Sequence, residues 1–206
     1  MTILLLLLLL PLGFVLFAAN WVKKGEGPKV YQPDPSQSRP GIWYCAHRAR
    51  REYSFQHLYL KVTPTDQSWA SRRPDVFTQR DAAGSAFFTL GAGPKDGKLS
   101  LEFNRTPDLH DPVSFEERLD VEAKEEERCI QALLDASSLY HDQVVFTTLH
   151  GIQGPGYNCN SMMAGLTRQA GMPLPKFSRR FMLCVGIGTP LPEREFFKEA
   201  TEKTAA

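Results

Sequence analysis

Gly156-Tyr157-Asn158-Cys159-Asn160-Ser161 is the stretch on which the reading of this chain turns. Gly151, Gly154, Pro155 and Gly156 mark a loop that stops abruptly. Met162, Met163, Leu166 and Ala170 then recur at helical spacing, and Gly171 with Pro173 ends the run as a helix stop does. The pattern predicts a short helix with Cys159 at or near its first turn. There the unpaired N–H groups and the helix dipole favour a thiolate over a thiol. A cysteine nucleophile needs this arrangement. A buried structural cysteine beside an asparagine helix cap has it too, so the rest of the chain must separate the two.

The chain has 206 residues, 42% of them hydrophobic, which allows a real core behind an N-terminal segment. Its net charge of +1 gives no electrostatic case for a nucleic-acid partner. Cys45, Cys129, Cys159 and Cys184 lie far apart, with no Cys-x-x-Cys and no zinc-ligand spacing. A disulfide between two of Cys45, Cys129 and Cys184 stays open if the domain is exported. The five histidines are dispersed, and neither a metal nor a cofactor is expected.

Ile3 to Ala19 is an unbroken apolar run of 17 residues built on seven consecutive leucines. That is near the lower limit for a membrane span. Trp21 suits an interfacial anchor, and Lys23 and Lys24 follow. A cleaved signal peptide is the rival, but it lacks a basic leading region and a good small-residue cleavage site. The expectation is therefore an N-terminal single-pass anchor or signal segment over 1–22 and a Pro/Gly/Ser-rich linker over 23–41. A folded domain over 42–192 and a polar tail over 193–206 follow. The two lysines argue for a cytoplasmic domain; delivery by one short N-terminal run argues for the exported face, which is the side favoured.

Within the domain, Ile42 to Ala46 and Phe55 to Thr63 read as strands, the second alternating and rich in aromatic and branched residues. Pro64 to Ala83 is polar and turn-rich. Ala86 to Leu90 and Leu99 to Asn104 read as two more strands, joined through Gly91-Ala92-Gly93-Pro94 and Asp96-Gly97. Thr106 to Asp120 reads as an irregular excursion. Lys124 to Tyr140 is an amphipathic helix with a solvated charged face. Val144 to Leu149 reads as a short extended piece, and Phe181 to Ile187 as a late strand. The order gives an α+β fold: a small antiparallel sheet with helices packed on one side and the cysteine at a helix N-terminus.

A thiol hydrolase needs a base beside its cysteine, preferably an imidazole. His47 lies in an Arg-rich turn, and His110 and His141 in polar settings. His150 precedes Cys159 by nine residues in the loop. His57 is the histidine on a core strand, within Phe55-Gln56-His57-Leu58-Tyr59-Leu60. It is the candidate base, with His150 as its replacement.

A His-bearing strand, then Asn158-Cys159-Asn160 at a helix start, then Gly171-Met172-Pro173-Leu174-Pro175 resembles the circularly permuted papain-like cysteine hydrolases. That group includes the desumoylating isopeptidases, the lecithin–retinol acyltransferase group and permuted NlpC-like bacterial proteins. Their cysteine motif is close to Asn-Cys-(Asn or Glu)-His-Phe. Here Ser161-Met162 stands where relatives often carry His-Phe, which loosens assignment to any one subfamily. The resemblance implies Cys159 as nucleophile and His57 as base. It implies a third polar residue from the strand after the His strand, for which Thr89, Glu102 and Asn104 are candidates. Asn158 and Asn160 fall in the helix-cap or oxyanion region.

Three functions follow. The first is a membrane-anchored thiol peptidase or amidase acting through an acyl-enzyme, with a peptide as substrate. The second is a lipid acyl hydrolase or acyltransferase of the same fold, whose acyl substrate a membrane anchor suits equally. The third is an inactive binding domain that keeps the fold.

Overall fold

The structure, a computed structural model, describes residues 39–49, 55–148, 156–175 and 184–196. The expected anchor over 3–19, most of the linker, His150 and most of the tail lie outside these residues. Among the described residues no helix is long and apolar enough to cross a membrane.

The strands are β1 (Gly41–Arg48), β2 (Gln56–Thr63), β3 (Gln79–Arg80), β4 (Ala86–Lys95), β5 (Lys98–Phe103) and β6 (Val113–Arg118). They pair antiparallel in the order β3-β4-β2-β1-β6, with β5 added on β4. The helices are α1 (Gln67–Ser71), α2 (Thr106–His110), α3 (Glu126–Leu139) and α4 (Cys159–Gln169). The fold is thus α+β, a small antiparallel sheet with helices.

Strand alternation divides the sheet into two faces. In register, Tyr44, Leu60 and Leu90 lie across from one another, as do Ile42, Val62 and Phe88. These residues are buried under α3 and α4 with Ile130, Leu133, Met162 and Leu166. The Tyr44 hydroxyl pins sheet to helix at 2.6 Å from Thr167 Oγ1, donating on to the Met163 carbonyl at 3.0 Å. Cys45, Tyr59 and Gly91 align on the opposite face, and His47 pairs with His57 there. α2 crosses that second face.

The local signals explain most boundaries. Asp96 and Gly97 both have positive φ (51° and 76°), the two-residue turn that matches strand twist. α4 ends in a Schellman arrangement: Gly171 has φ 69°, and Met172 N–H donates to the Thr167 carbonyl at 3.0 Å.

Several expectations are corrected. Gly91 to Pro94 is strand interior, because β4 runs on to Lys95 and pairs with β5 throughout. Thr106 to Asp120 holds α2 and β6. β6 is a short edge strand whose charged residues hide its alternation, and a bulge opposite Ala46/His47 breaks it further. Cys184 to Ile187, the described part of the expected late strand, is a turn. All four cysteines are free.

Gly165 sits in the middle of α4, where alanine would be the better helix former by about 1 kcal/mol. A Cβ there would stand 2.7 Å from the Leu191 carbonyl oxygen and 2.8 Å from its Cβ. Backbone cannot yield cheaply, and overpacking costs about 1–3 kcal/mol. Gly165→Ala is therefore expected to lower stability by up to about 2 kcal/mol; a melting curve unchanged or raised would show that the 184–196 segment does not pack on α4 as described.

Candidate active site

The site begins where β2 outruns β4. Pairing between them covers Tyr59 to Val62 and stops, leaving the Gln56–Leu58 edge without a strand neighbour on that side among the described residues. The Asn160 carboxamide fills the gap. Its Oδ1 accepts from Leu58 N–H at 2.8 Å, and its Nδ2 donates to the Gln56 carbonyl at 3.1 Å and the Val185 carbonyl at 2.9 Å. One side chain thereby bonds β2 on either side of His57 while sitting next to Cys159.

Asn158 is the helix cap. Its Oδ1 accepts from Ser161 N–H at 3.0 Å, and its Nδ2 donates to the Thr148 and Val185 carbonyls at 3.0 and 2.8 Å. Gly186 (φ 98°) closes over this cap; a Cβ there would meet Asn158 Oδ1 at 2.5 Å. Cys159 is partly exposed at the start of α4 and lines a cavity of about 560 Å³ together with His57 and His47.

α2 supplies what the sequence reading misses. Asp108, fully buried, presents Oδ1 to His57 Nε2 at 3.2 Å and to His47 Nε2 at 3.0 Å. Arg105 Nη1 lies 2.9 Å from His57 Nε2 and 3.5 Å from Asp108 Oδ1. His57 Nε2 thus has an anion and a cation within reach. With its proton it donates to Asp108; without it, the lone pair accepts from Arg105. Nδ1 is the nitrogen left to serve Cys159. The glycines of β4 make this possible. A Cβ on Gly91 would stand 2.0 Å from Asp108 Oδ2, and one on Gly93 would stand 2.7 Å from Arg105 Nη2.

The electrostatics follow from these contacts. Burial alone would lower the His57 pKa, but the Cys159 charge and the Asp108 hydrogen bond outweigh it and raise the value from 6.5 to about 9. Burial alone would raise Cys159; the His57 charge, a hydrogen bond to His57, the Asn160 N–H and the Arg105 charge reverse this and lower it. Asp108 resists its own burial through its bonds to His47 and His57 and falls to about 2. At Cys45 burial outweighs the lowering by Lys61 and the Tyr59 hydrogen bond and pushes the thiol up to about 12. Burial likewise raises Cys129 and Cys184.

Of the residues singled out from sequence, the structure brings Cys159, His57, Asn158 and Asn160 together. None of the three candidates for the third polar group contacts His57. Thr89 shares the face of His57 but pairs with Lys61, four residues along β2 and roughly 13 Å away. Asn104 accepts from Thr89 N–H at 2.8 Å and donates to Thr78 Oγ1 at 2.9 Å. Glu102 reaches Arg105 Nε at 3.6 Å from a half-exposed position. The carboxylate at His57 is Asp108. Its sequence signal was faint: a lone aspartate in Arg105-Thr106-Pro107-Asp108, where Pro107 suits a helix first turn.

His47, His57 and Asp108 each offer one ligand atom within 4.8 Å of the others and could gather round a cation. Arg105, a fixed positive charge 2.9 Å from His57 Nε2, opposes a dication there. Comparison with protein-family models, curated proteins and solved structures finds no match.

The raised His57 value contributes stability that is complete below 6.5 and is lost as pH rises through about 9. The lowered Asp108 value contributes stability present above 3.8 and lost as pH falls through about 2. Titration of the His57 ring by NMR should give a midpoint of about 9 in the intact protein. In Cys159→Ala the midpoint should fall, since the thiolate is the largest of the raising influences. An unmoved midpoint would mean that the thiol and imidazole do not interact.

Proposed function

We propose that this protein is a thiol hydrolase with the permuted papain-like arrangement, in which Cys159 is the nucleophile, His57 the base and Asp108 the group that orients His57. The observation that carries this reading is geometric: Cys159 at the start of α4 lines one cavity with His57, whose Nε2 stands 3.2 Å from the buried Asp108 carboxylate, and beside each other the cysteine is lowered and the histidine raised. A structural cysteine buried among apolar side chains shifts upward, as Cys184 does. An inactive binding domain has no physical need of the opposed pair.

The chemistry runs from those residues. The thiolate attacks a carbonyl carbon, and the carbonyl π electrons move to oxygen. Backbone N–H groups at the start of α4, including that of Cys159, receive the oxyanion. As the tetrahedral species collapses, the bond to the leaving group breaks and that group takes the proton from His57. Neutral His57 then accepts a proton from water, which cleaves the acyl-enzyme and restores the thiolate. Asp108 keeps the Nε2–H of His57 engaged throughout, so Nδ1 remains aimed at sulfur. Amide, ester and thioester substrates all fit this sequence. The apolar run 3–19 would hold the domain at a membrane, with the exported face favoured.

On a generic thioester or amide substrate, Cys159→Ser is expected to reduce turnover to background with a normal melt. His57→Ala should lower kcat by roughly 10²–10⁴-fold. Changes at Cys45, Cys129 and Cys184 should alter stability more than rate. Undiminished turnover in Cys159→Ser would exclude thiol catalysis. A second measurement addresses the anchor: the intact chain should stay with membranes through high-salt and alkaline washes, and its release into the soluble fraction would count against a span.

A further inference from the structure

Arg105 stands in the cavity wall beside Cys159 and His57 with one side of its guanidinium uncommitted. Nη1 donates to Asp108 Oδ1 at 3.5 Å and lies 2.9 Å from His57 Nε2. Nε faces Glu102 at 3.6 Å, beyond a good hydrogen bond. Nη2 lies over Gly93, which carries no side chain, and makes no hydrogen bond to any described residue. The side chain is 17% exposed, so the charge is not freely solvated, and the two carboxylates that face it, Asp108 at 3.5 Å and Glu102 at 3.6 Å, both approach other nitrogens than Nη2. Asp111 also lines the cavity, but its carboxylate faces His47 Nδ1 at 3.7 Å. Phe55, Pro94, Phe146 and Val185 make much of the remaining wall apolar.

A guanidinium held in one orientation, with donors left over in a partly dry cleft, matches a carboxylate in shape and charge. The neighbouring apolar wall suits hydrocarbon. We infer that the cavity takes an acyl group bearing a carboxylate close to the carbonyl offered to Cys159, with Arg105 holding that carboxylate. The inference rests on the thiol-hydrolase reading, since that reading is what puts a carbonyl at Cys159. It narrows the substrate from any amide or ester to one whose acyl part is anionic near the scissile bond.

The test compares iodoacetate with iodoacetamide on the intact chain. In each, the Cys159 sulfur attacks the methylene carbon, a C–S bond forms, and iodide leaves with the electron pair. The reagents differ only in carrying a carboxylate or a neutral carboxamide. Loss of the Cys159 thiol is followed by mass spectrometry for the intact chain, Arg105→Gln and Arg105→Lys, each checked by melting. The iodoacetate-to-iodoacetamide rate ratio should fall on the order of tenfold or more in Arg105→Gln, the scale of one charge-assisted hydrogen bond. Arg105→Lys should keep most of it. A role confined to supporting His57 or the thiolate would slow both reagents alike and leave the ratio unmoved; that result would overturn the carboxylate seat, whatever the turnover. A falling ratio in a protein that hydrolyses neither charged nor neutral esters would uphold the seat and reject the hydrolase reading.

Discussion

The Asn160 carboxamide is the contact on which the site depends. A helix laid across a sheet is free to slide by a residue or turn as long as its apolar stripe stays covered. Asn160 removes that freedom, because a planar amide bonding Leu58 N–H and the Gln56 carbonyl fits β2 in one register only. It does for the buried strand edge that β4 leaves open what another strand would do, satisfying backbone groups that burial would otherwise leave costly. Cys159, one residue earlier, is thereby delivered to the residue between those two backbone groups, which is His57.

A second constraint is steric. Four charged or titratable side chains (His47, His57, Arg105 and Asp108) occupy the sheet face opposite the main helices. Burying charge is expensive unless partners are close. They are close here because β4 carries glycine at 91 and 93, on the face that α2 crosses. The absent side chains let α2 settle low enough for Asp108 to reach two imidazoles. Residues read as the connection between two strands are thus a trough for a charged cluster.

The two ends of the arrangement are coupled. Asp108 supports the proton on His57, and the charged His57 supports the Cys159 thiolate. The helix start adds the Asn160 N–H to the thiolate. No one of these groups would hold its charge at its burial alone, which is why the chemistry belongs to the cluster and not to a single reactive residue.

Cys159 at a helix start, His57 on a core strand and the helix stop at Gly171 were legible in the chain, because caps, period-2 alternation and glycine stops act over a few neighbouring residues. The leading α+β order was legible for the same reason. Asp108 was not, since nothing local distinguishes it from any surface aspartate; its role comes from α2 crossing a face that also carries His47 and His57. Thr89, Glu102 and Asn104, the candidates read from the strands after His57, lost the role when register placed Thr89 opposite Lys61, set Glu102 across from Gly91 and against Arg105, and spent Asn104 on Thr89 and Thr78. The β6 edge was hidden because a bulged strand with one buried aromatic lacks a readable period. Which elements bear Cys159 and His57 was written in local chemistry. Which side chains meet was decided by strand register and by the glycines that let α2 approach, since both depend on contacts between residues far apart in the chain.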